Sequence, residues 1–367
     1  MQQSKQNRIL YLDVMRAFAV FMMIQGHTVD TFLSDSVRSS ESFFYIVWYN
    51  MRGFTAPVFM FTAGVVFTYL MKIEKYKFSE NPRIKKGIKR GSMLIGLGYL
   101  LRYPTERFFD FRYVTHEKWS TFFAVDALQL IGFGLLFIIF FVFVSKSFKF
   151  KFTTIIFYTI LFLFFGTPIL KPVDFTKYLP EYFAAYLNNN TGSPFPFFPW
   201  LIYIFSGSLL GYYLRKHETI YKKKLFGYKL MSFGLSMTAM FYIISYIHDN
   251  YFNGNSIWLS SFSIIFLRLG FVILLNGIMS LIARKTKSIP NIIIHAGRHT
   301  LILYIVHLIM LYGSAWSLGL NYLYGKSFNT KETILATVIM LSLMMLLVVV
   351  IEKIKSIRIT NLVTDNI

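Results

Sequence analysis

Between Glu332 and Glu352 the chain reads Thr333-Ile-Leu-Ala-Thr-Val-Ile-Met340-Leu-Ser-Leu-Met-Met-Leu-Leu-Val-Val-Val350-Ile351, without one charged side chain. About 20 apolar residues in a helix cross the hydrocarbon core of a bilayer. Lipid offers no partner to backbone N–H and C=O groups, so a spanning segment of this kind must be helical. Nine further stretches read the same way: 9–27, 43–71, 88–103, 121–144, 152–170, 196–214, 228–247, 258–283 and 299–317. The third is short and interrupted by Gly91, Gly96 and Gly98. The second contains Gly53, Pro57 and Gly64, which predict a kink or a break. The expected fold is an all-α integral membrane bundle of ten transmembrane helices.

Composition agrees. Of 367 residues, 55% are hydrophobic, 19% aromatic and only 15% charged, where soluble chains carry roughly a quarter charged residues. The net charge is nevertheless +21. A basic excess alone would admit a nucleic-acid binder, but the long apolar runs exclude that as the main identity. The chain has no cysteine, which excludes disulfide scaffolds, Cys-ligated zinc, iron–sulfur clusters and a thiolate nucleophile. No hydrophilic stretch is long enough for a separate soluble domain, so residues 1–367 read as one membrane domain. The first apolar stretch carries Asp13 and Arg16 and is followed by no small-residue cleavage site, unlike a secretory signal.

The basic residues record the topology. Lys+Arg number 2 before the first segment, then 1 in residues 28–42, 8 in 72–90, 4 in 102–120 and 3 in 145–151. The later connections hold 2 in 171–195, 6 in 215–229, none in 248–257, 4 in 284–298, 2 in 318–331 and 3 in the tail. Alternate connections therefore carry 26 against 9, and by the positive-inside rule the rich side is cytoplasmic. Both termini then face the cytoplasm. The plainer reading of these loops is retention of topology together with contact with anionic lipid headgroups, and the sharper one gives a loop the task of holding an anionic cofactor.

The three of the 38 Lys+Arg left out of those counts, Arg16, Arg52 and Arg268, lie inside the apolar segments. Charge there is costly and marks function more often than elsewhere. In the first segment Asp13, Arg16, Val20, Met23 and His27 are spaced 3, 4, 3 and 4, so they share one helical face. Asp13 and Arg16 can pair, and His27 lies a rise of about 21 Å beyond Asp13. An unperturbed imidazole titrates near neutrality and suits a general base. Asp30 and Asp126 are candidate orienting carboxylates, and Asp126 shares a face with Gln129. Each has a plainer reading: a structural ion pair for Asp13 and Arg16, an interfacial imidazole for His27, a helix N-terminal carboxylate for Asp126. Arg52 either snorkels at the outer entry or meets a ligand. Arg268 sits deeper and needs an internal acid or a ligand. His307 is either a hydrogen-bonded structural residue or a ligand contact. His295 and His299, at i and i+4, have no carboxylate near in sequence and do not read as a metal site. The motifs of soluble hydrolases, P-loops, dinucleotide folds and zinc proteases are absent.

The stretch Leu12-Asp13-Val-Met-Arg16-Ala-Phe-Ala, followed by His27, resembles the first helix of integral-membrane acyltransferases, including acyltransferase family 3. Arg52-Gly-Phe-Thr-Ala-Pro57-Val-Phe-Met-Phe-Thr-Ala-Gly64 resembles the second helix of the heparan-α-glucosaminide N-acetyltransferase catalytic-domain family. Three more stretches are similar to that family, in order: Asp126-Ala-Leu-Gln129-Leu-Ile-Gly132, Phe197-Phe-Pro199-Trp200 leading to Gly207 and Gly211, and Gly297-Arg298-His299 running to His307. The resemblance implies a bundle of about ten helices that takes an acyl group, most simply acetyl, from cytoplasmic acyl-CoA. It implies delivery to a hydroxyl or amine of a glycan or glycolipid on the far side, with no metal.

On that resemblance His27 corresponds to the membrane-embedded histidine of the reaction, with Asp13 and Arg16 shaping the donor channel; Asp126, from its place at the same end, is the candidate catalytic carboxylate beside it. Arg83, Lys86 and Arg90 share a helical face in the most basic cytoplasmic connection and are candidate contacts for CoA phosphates, with Arg268 deeper. Arg52, Gln129 and His307 are the candidates for the acceptor. Direct transfer and an acyl-histidine intermediate both remain open, as does assembly into a homo-oligomer. A multi-pass protein of a prokaryotic plasma membrane is the expected setting. The competing class is a transporter or flippase that uses the same buried charges as a relay.

Overall fold

The computed structural model describes residues 9–39, 42–286 and 289–364. The elements are α1 (Leu10–Phe32), α2 (Phe43–Met71), α3 (Pro82–Leu101), α4 (His116–Phe123), α5 (Ala127–Ser147), α6 (Phe152–Leu170), α7 (Glu181–Ala184) and α8 (Phe197–Lys216). There follow α9 (Lys224–Tyr251), α10 (Ile257–Lys285), α11 (Asn291–Arg298), α12 (Thr300–Tyr312), a two-residue hairpin β1 (Gly313–Ser314) and β2 (Ser317–Leu318), α13 (Leu320–Tyr324) and α14 (Thr330–Thr364).

Nine of the ten apolar segments each lie mainly on one helix, the one at 121–144 is divided between α4 and α5, and α2 and α6 have the expected bounds. The other ends move for local reasons. Helix α3 begins at Pro82, six residues early, because Asn81 caps it by accepting from the Arg83 N–H and proline suits the first turn. The segment expected at 121–144 is broken: α4 stops at Phe123, Ala124 leaves helical geometry, and Asp126 caps a new start. Helix α12 ends at Tyr312 rather than 317 because Gly313, at φ +79°, turns into the hairpin. Pro57 lies inside α2, which runs unbroken from Phe43 to Met71.

Among the described residues seven helices, α2, α5, α6, α8, α9, α10 and α14, are long and apolar enough to cross a membrane by length and composition. The pair α11 and α12, bent by 77° at His299, makes an eighth if the two are one broken span. Helix α1 carries Asp13, Arg16 and Asp30, and α3 carries five basic residues in its first half, which places both below that measure of apolarity. Among the described residues the class is therefore all-α membrane, with seven to eight candidate spans by this measure. The cytoplasmic placement expected for the termini falls on residues 1–8 and 365–367, outside the described residues.

The chain forms two compact units, Met1–Thr55 with Ile282–Ile367, and Ala56–Leu281. In the first, α1 packs against α11, α12 and α14. The end of α1 is sealed by the segment after α13: the Lys326 N–H donates to the Thr31 carbonyl and the Phe328 N–H to that of Phe32, each at 2.9 Å. Phe32 and Phe328 stack at 5.1 Å.

In the second unit, α3 packs on α5 and α8 on both α5 and α6. Apolar side chains gain nothing by leaving lipid for one another, so helices there join by close backbone approach at small residues. Gly207 and Gly211 of α8 lie directly against the Phe61 and Val65 carbonyls of α2, where any Cβ would clash. Gly132 does the same between α5 and α3: a Cβ there would stand only 2.7 Å from the Gly91 carbonyl oxygen.

Candidate functional site

The charged stripe of α1 is folded inward. Asp13, Val20 and Met23 are buried and Arg16 and His27 half-buried. At the Asp13 end, Gly297 of α11 lies on the Asp13 carbonyl so closely that no larger residue fits. The Arg16 guanidinium donates to Thr300 Oγ1 at 3.1 Å. The break between α11 and α12 thus sits on the charged turn of α1.

The residue at that break, His299, is tied to α14. Its Nε2 lies 2.6 Å from Glu352 Oε1, and His295 Nδ1 lies 2.8 Å from Glu352 Oε2. Lys355 Nζ sits 2.9 Å from His299 Nε2 and 3.1 Å from Glu352 Oε1, in the place between them that a cation would need. Among the described residues no group of three or more metal-ligating side chains is placed to hold an ion. The carboxylate missing from the neighbourhood of His295 in sequence comes from a helix more than fifty positions on.

At the other end of α1, His27 meets α12. Its Nδ1 is 3.1 Å from the Tyr312 hydroxyl, and the Tyr312 ring stands edge-on to it. The His307 ring lies 5.5 Å away, centroid to centroid, and is fully buried. Thr31 Oγ1 donates to the His27 carbonyl at 2.8 Å. Asp30, one turn on, binds two guanidiniums with one oxygen: Arg52 at 2.8 Å and Arg38 at 3.3 Å. Charge attraction draws Asp30 to the arginines, while Tyr312 and His307 stand beside His27. Arg52 is 40% exposed on its side chain and lies 6.0 Å over the Trp48 ring. Its Cγ is 3.9 Å from where a Cβ on Gly26 would stand, one residue before His27.

The remaining candidates belong to the second unit. Asp126 is the N-cap of α5 and forms a capping box with Gln129: Asp126 Oδ1 accepts from the Ala127 N–H at 2.7 Å, and Gln129 Oε1 accepts from the Asp126 N–H at 3.3 Å. Arg102 Nη2 pairs with Asp126 Oδ2 at 2.9 Å. Gln129 is wholly buried and its amide fills the space beside Gly98. The plainer reading of Asp126, a helix-terminal carboxylate, is the one this geometry satisfies. Arg268 stacks over the Trp200 ring at 4.9 Å, a cation–π contact rather than a pairing with an internal acid. Arg83, Lys86 and Arg90 are all exposed, on a face of α3 that flanks the one formed by the buried Ile84, Gly87 and Gly91. Sequence reasoning missed Tyr312, Thr300 and Glu352. Only Tyr312 had a signal, an aromatic hydroxyl at the end of the helix that carries His307.

A family model described as heparan-α-glucosaminide N-acetyltransferase, catalytic, matches residues 8–248. The match takes in Asp13, Arg16, His27 and Arg52 and runs through α9, while Arg268 and His307 lie beyond it. No curated protein and no solved structure matches the chain. With well over half of its length so matched, the chain belongs to the heparan-α-glucosaminide N-acetyltransferase catalytic-domain family.

Proposed function

We propose that the chain, acting as one domain, is a multi-pass acetyltransferase of a prokaryotic plasma membrane. It takes acetyl from cytoplasmic acetyl-CoA and delivers it to an amine or hydroxyl of a glycan on the outer side. All ten apolar segments cross in this reading, α1 and α3 included, with both termini in the cytoplasm. The charges of α1 are tolerated because they face the bundle interior. Arg83, Lys86 and Arg90 attract the CoA phosphates at the cytoplasmic mouth, and Asp13 and Arg16 line the donor path. Arg52 meets the acceptor. Asp126 and Gln129 hold the start of α5.

The observation that carries the reading is His27, set near the end of a buried charged stripe with its Nδ1 on the Tyr312 hydroxyl. With Nδ1–H donated to Tyr312, Nε2 holds a lone pair and acts as base. It takes the proton from the acceptor N–H or O–H as that atom bonds the thioester carbon. The C–S bond breaks, and His27 returns the proton to the departing thiolate.

The test is purified protein with labelled acetyl-CoA and glucosamine-terminated or hydroxyl-bearing oligosaccharides, comparing wild type with His27→Ala. Transfer by wild type and its loss in the variant are expected. No transfer by wild type, with solute flux into vesicles instead, would establish the transporter reading. A reporter fused after Asn250 is expected on the outer side, and a cytoplasmic signal there breaks the ten-span topology.

A further inference from the structure

Deep in α10 the chain keeps a charge that its own carboxylates do not balance. Arg268 lies 11 residues past Ile257 and 17 before Lys285, a rise of about 17 Å into the helix. Among the described residues no acid pairs with it. Its guanidinium lies over the Trp200 ring at 4.9 Å, with the Tyr203 hydroxyl beside it. A cation–π contact engages the charge but supplies none of the acceptors that the five N–H donors need. Arg268 is half-buried, so part of its fork is open to a ligand. A charge held at membrane depth without an acid partner marks a binding site or path more often than a structural part.

Two hydroxyls beside it add donors. Tyr203 is 0% exposed, its ring 5.7 Å from that of Trp200, and its hydroxyl meets no partner at hydrogen-bonding geometry. Even where it takes an N–H of Arg268, it keeps its own proton to give. Ser261 lies two turns before Arg268 on the same face of α10, buried, with its hydroxyl likewise unpartnered. Its neighbours Ser260 and Ser263 instead return their hydroxyls to the carbonyls of Ile257 and Ser260. Native interiors leave few such groups unsatisfied. A guanidinium, a phenol and a serine hydroxyl on adjoining faces are all donors, and the group that satisfies them together is an oxyanion.

We propose that Arg268, Tyr203 and Ser261 bind the phosphate of a lipid in the outer leaflet. Such a site is separate from acetyl transfer and rests on that reading only for the orientation of the helices. In that orientation α8 and α10 both begin on the outer side, and Trp200 is the fourth residue of α8. Side chains lean toward the N-terminus of their helix, so Arg268 reaches toward the outer headgroups and away from the cytoplasmic mouth expected for CoA. A guanidinium fork matches phosphate at two oxygens. A soluble sugar acid would lose its water at this depth with nothing apolar to hold it. A phosphate lipid brings chains that stay in the hydrocarbon. Two sources share this chemistry, bulk anionic phospholipid and an isoprenoid phosphate.

The test is binding of a fluorescent short-chain phosphatidate to the full-length protein in phosphate-free maltoside micelles. Unlabelled phosphatidylglycerol, farnesyl phosphate, inorganic phosphate, glucuronate and acetyl-CoA serve as competitors. Arg268→Gln is expected to weaken binding about tenfold or more, the scale of one charge-assisted hydrogen bond. Arg268→Lys, which keeps the charge and loses the fork, weakens it less, and Tyr203→Phe several-fold. Both phosphate lipids displace the probe at concentrations where inorganic phosphate and glucuronate do not, and the stronger of the two names the source. Without lipid, Arg268→Gln melts no lower than wild type, because it removes a charge that no acid balances. Binding unchanged in Arg268→Gln, or displacement by glucuronate as readily as by lipid, overturns the proposal. So does a loss of acetyl-CoA binding in Arg268→Gln equal to the loss of phosphatidate, which would put Arg268 on the donor path. A variant that melts well below wild type in lipid-free micelles makes the Trp200 contact structural and overturns it too. Binding is read without turnover, so a wild type inactive with every acceptor is a separate result that sinks only the acetyltransferase reading.

Discussion

Removing the Asp126 carboxylate distinguishes a residue that holds a helix from one that takes part in the reaction. In the structure it does two structural jobs: it caps α5 through the Ala127 N–H and it pairs with Arg102. Losing an N-cap costs about 1 kcal/mol, within a range of roughly 0.5–2. Both partners of the ion pair are a quarter exposed or less, at 25% and 21%, so the pair is worth about 1 kcal/mol, the upper end for a surface bridge. Asp126→Ala is then expected to destabilise by about 2–3 kcal/mol, since an uncompensated guanidinium is left in a partly dry place. Asp126→Asn keeps a side-chain oxygen for the cap, where Asn and Asp serve equally well, and loses only the charge, about 1 kcal/mol. Equilibrium unfolding of the purified protein in mixed micelles measures both, and acetyl transfer is assayed alongside. Activity of the folded Asn variant should stay within a few fold of wild type. A loss of about a thousandfold in kcat, the scale of a lost catalytic group, at nearly unchanged stability would refute this reasoning and restore Asp126 as the carboxylate of the reaction.

Three further outcomes follow from the same geometry. Tyr312→Phe removes the hydroxyl on His27 Nδ1 and frees its tautomer, so kcat should fall about tenfold, as for one lost hydrogen bond to a charged group, with little change in stability. Replacing Arg83, Lys86 and Arg90 together by Glu should raise the KM for acetyl-CoA roughly tenfold or more while kcat holds, because those exposed side chains act by attraction at a distance and not in the chemistry; equal KM values would remove α3 from the donor site. Gly207→Leu sets a side chain against the Phe61 carbonyl and should cost about 3 kcal/mol or more through forced overpacking, read as loss of the monodisperse peak in detergent.

Much of the fold was legible because a membrane helix is a local property. Hydropathy over 43–71 and 152–170 located α2 and α6 to the residue, since both ends of such a helix are set by where polar residues resume. It was blind to the start of α3, where Asn81 and Pro82 set the helix in a run of lysines and arginines. The Asp126–Gln129 spacing marked a helix face, and the same three-residue offset is that of a capping box; the carboxylate's partner Arg102, 24 positions earlier, was outside any local pattern. At the His27 end of α1 the sequence marked His27 and His307 separately, with nothing to link residues 280 positions apart.

What the sequence determined by itself is the membrane class, the positions of the helices and the shared face of Asp13, Arg16 and His27, all of which follow from spacing along a single helix. Tertiary structure alone decided that His27 meets Tyr312 and His307, that Asp30 goes to Arg38 and Arg52, and that Glu352 ties His295 and His299 at the break between α11 and α12. These pairings depend on which helices touch. In this chain that is governed by backbone approach at residues such as Gly297 on the Asp13 carbonyl, a contact with no signature in hydropathy or in helical period.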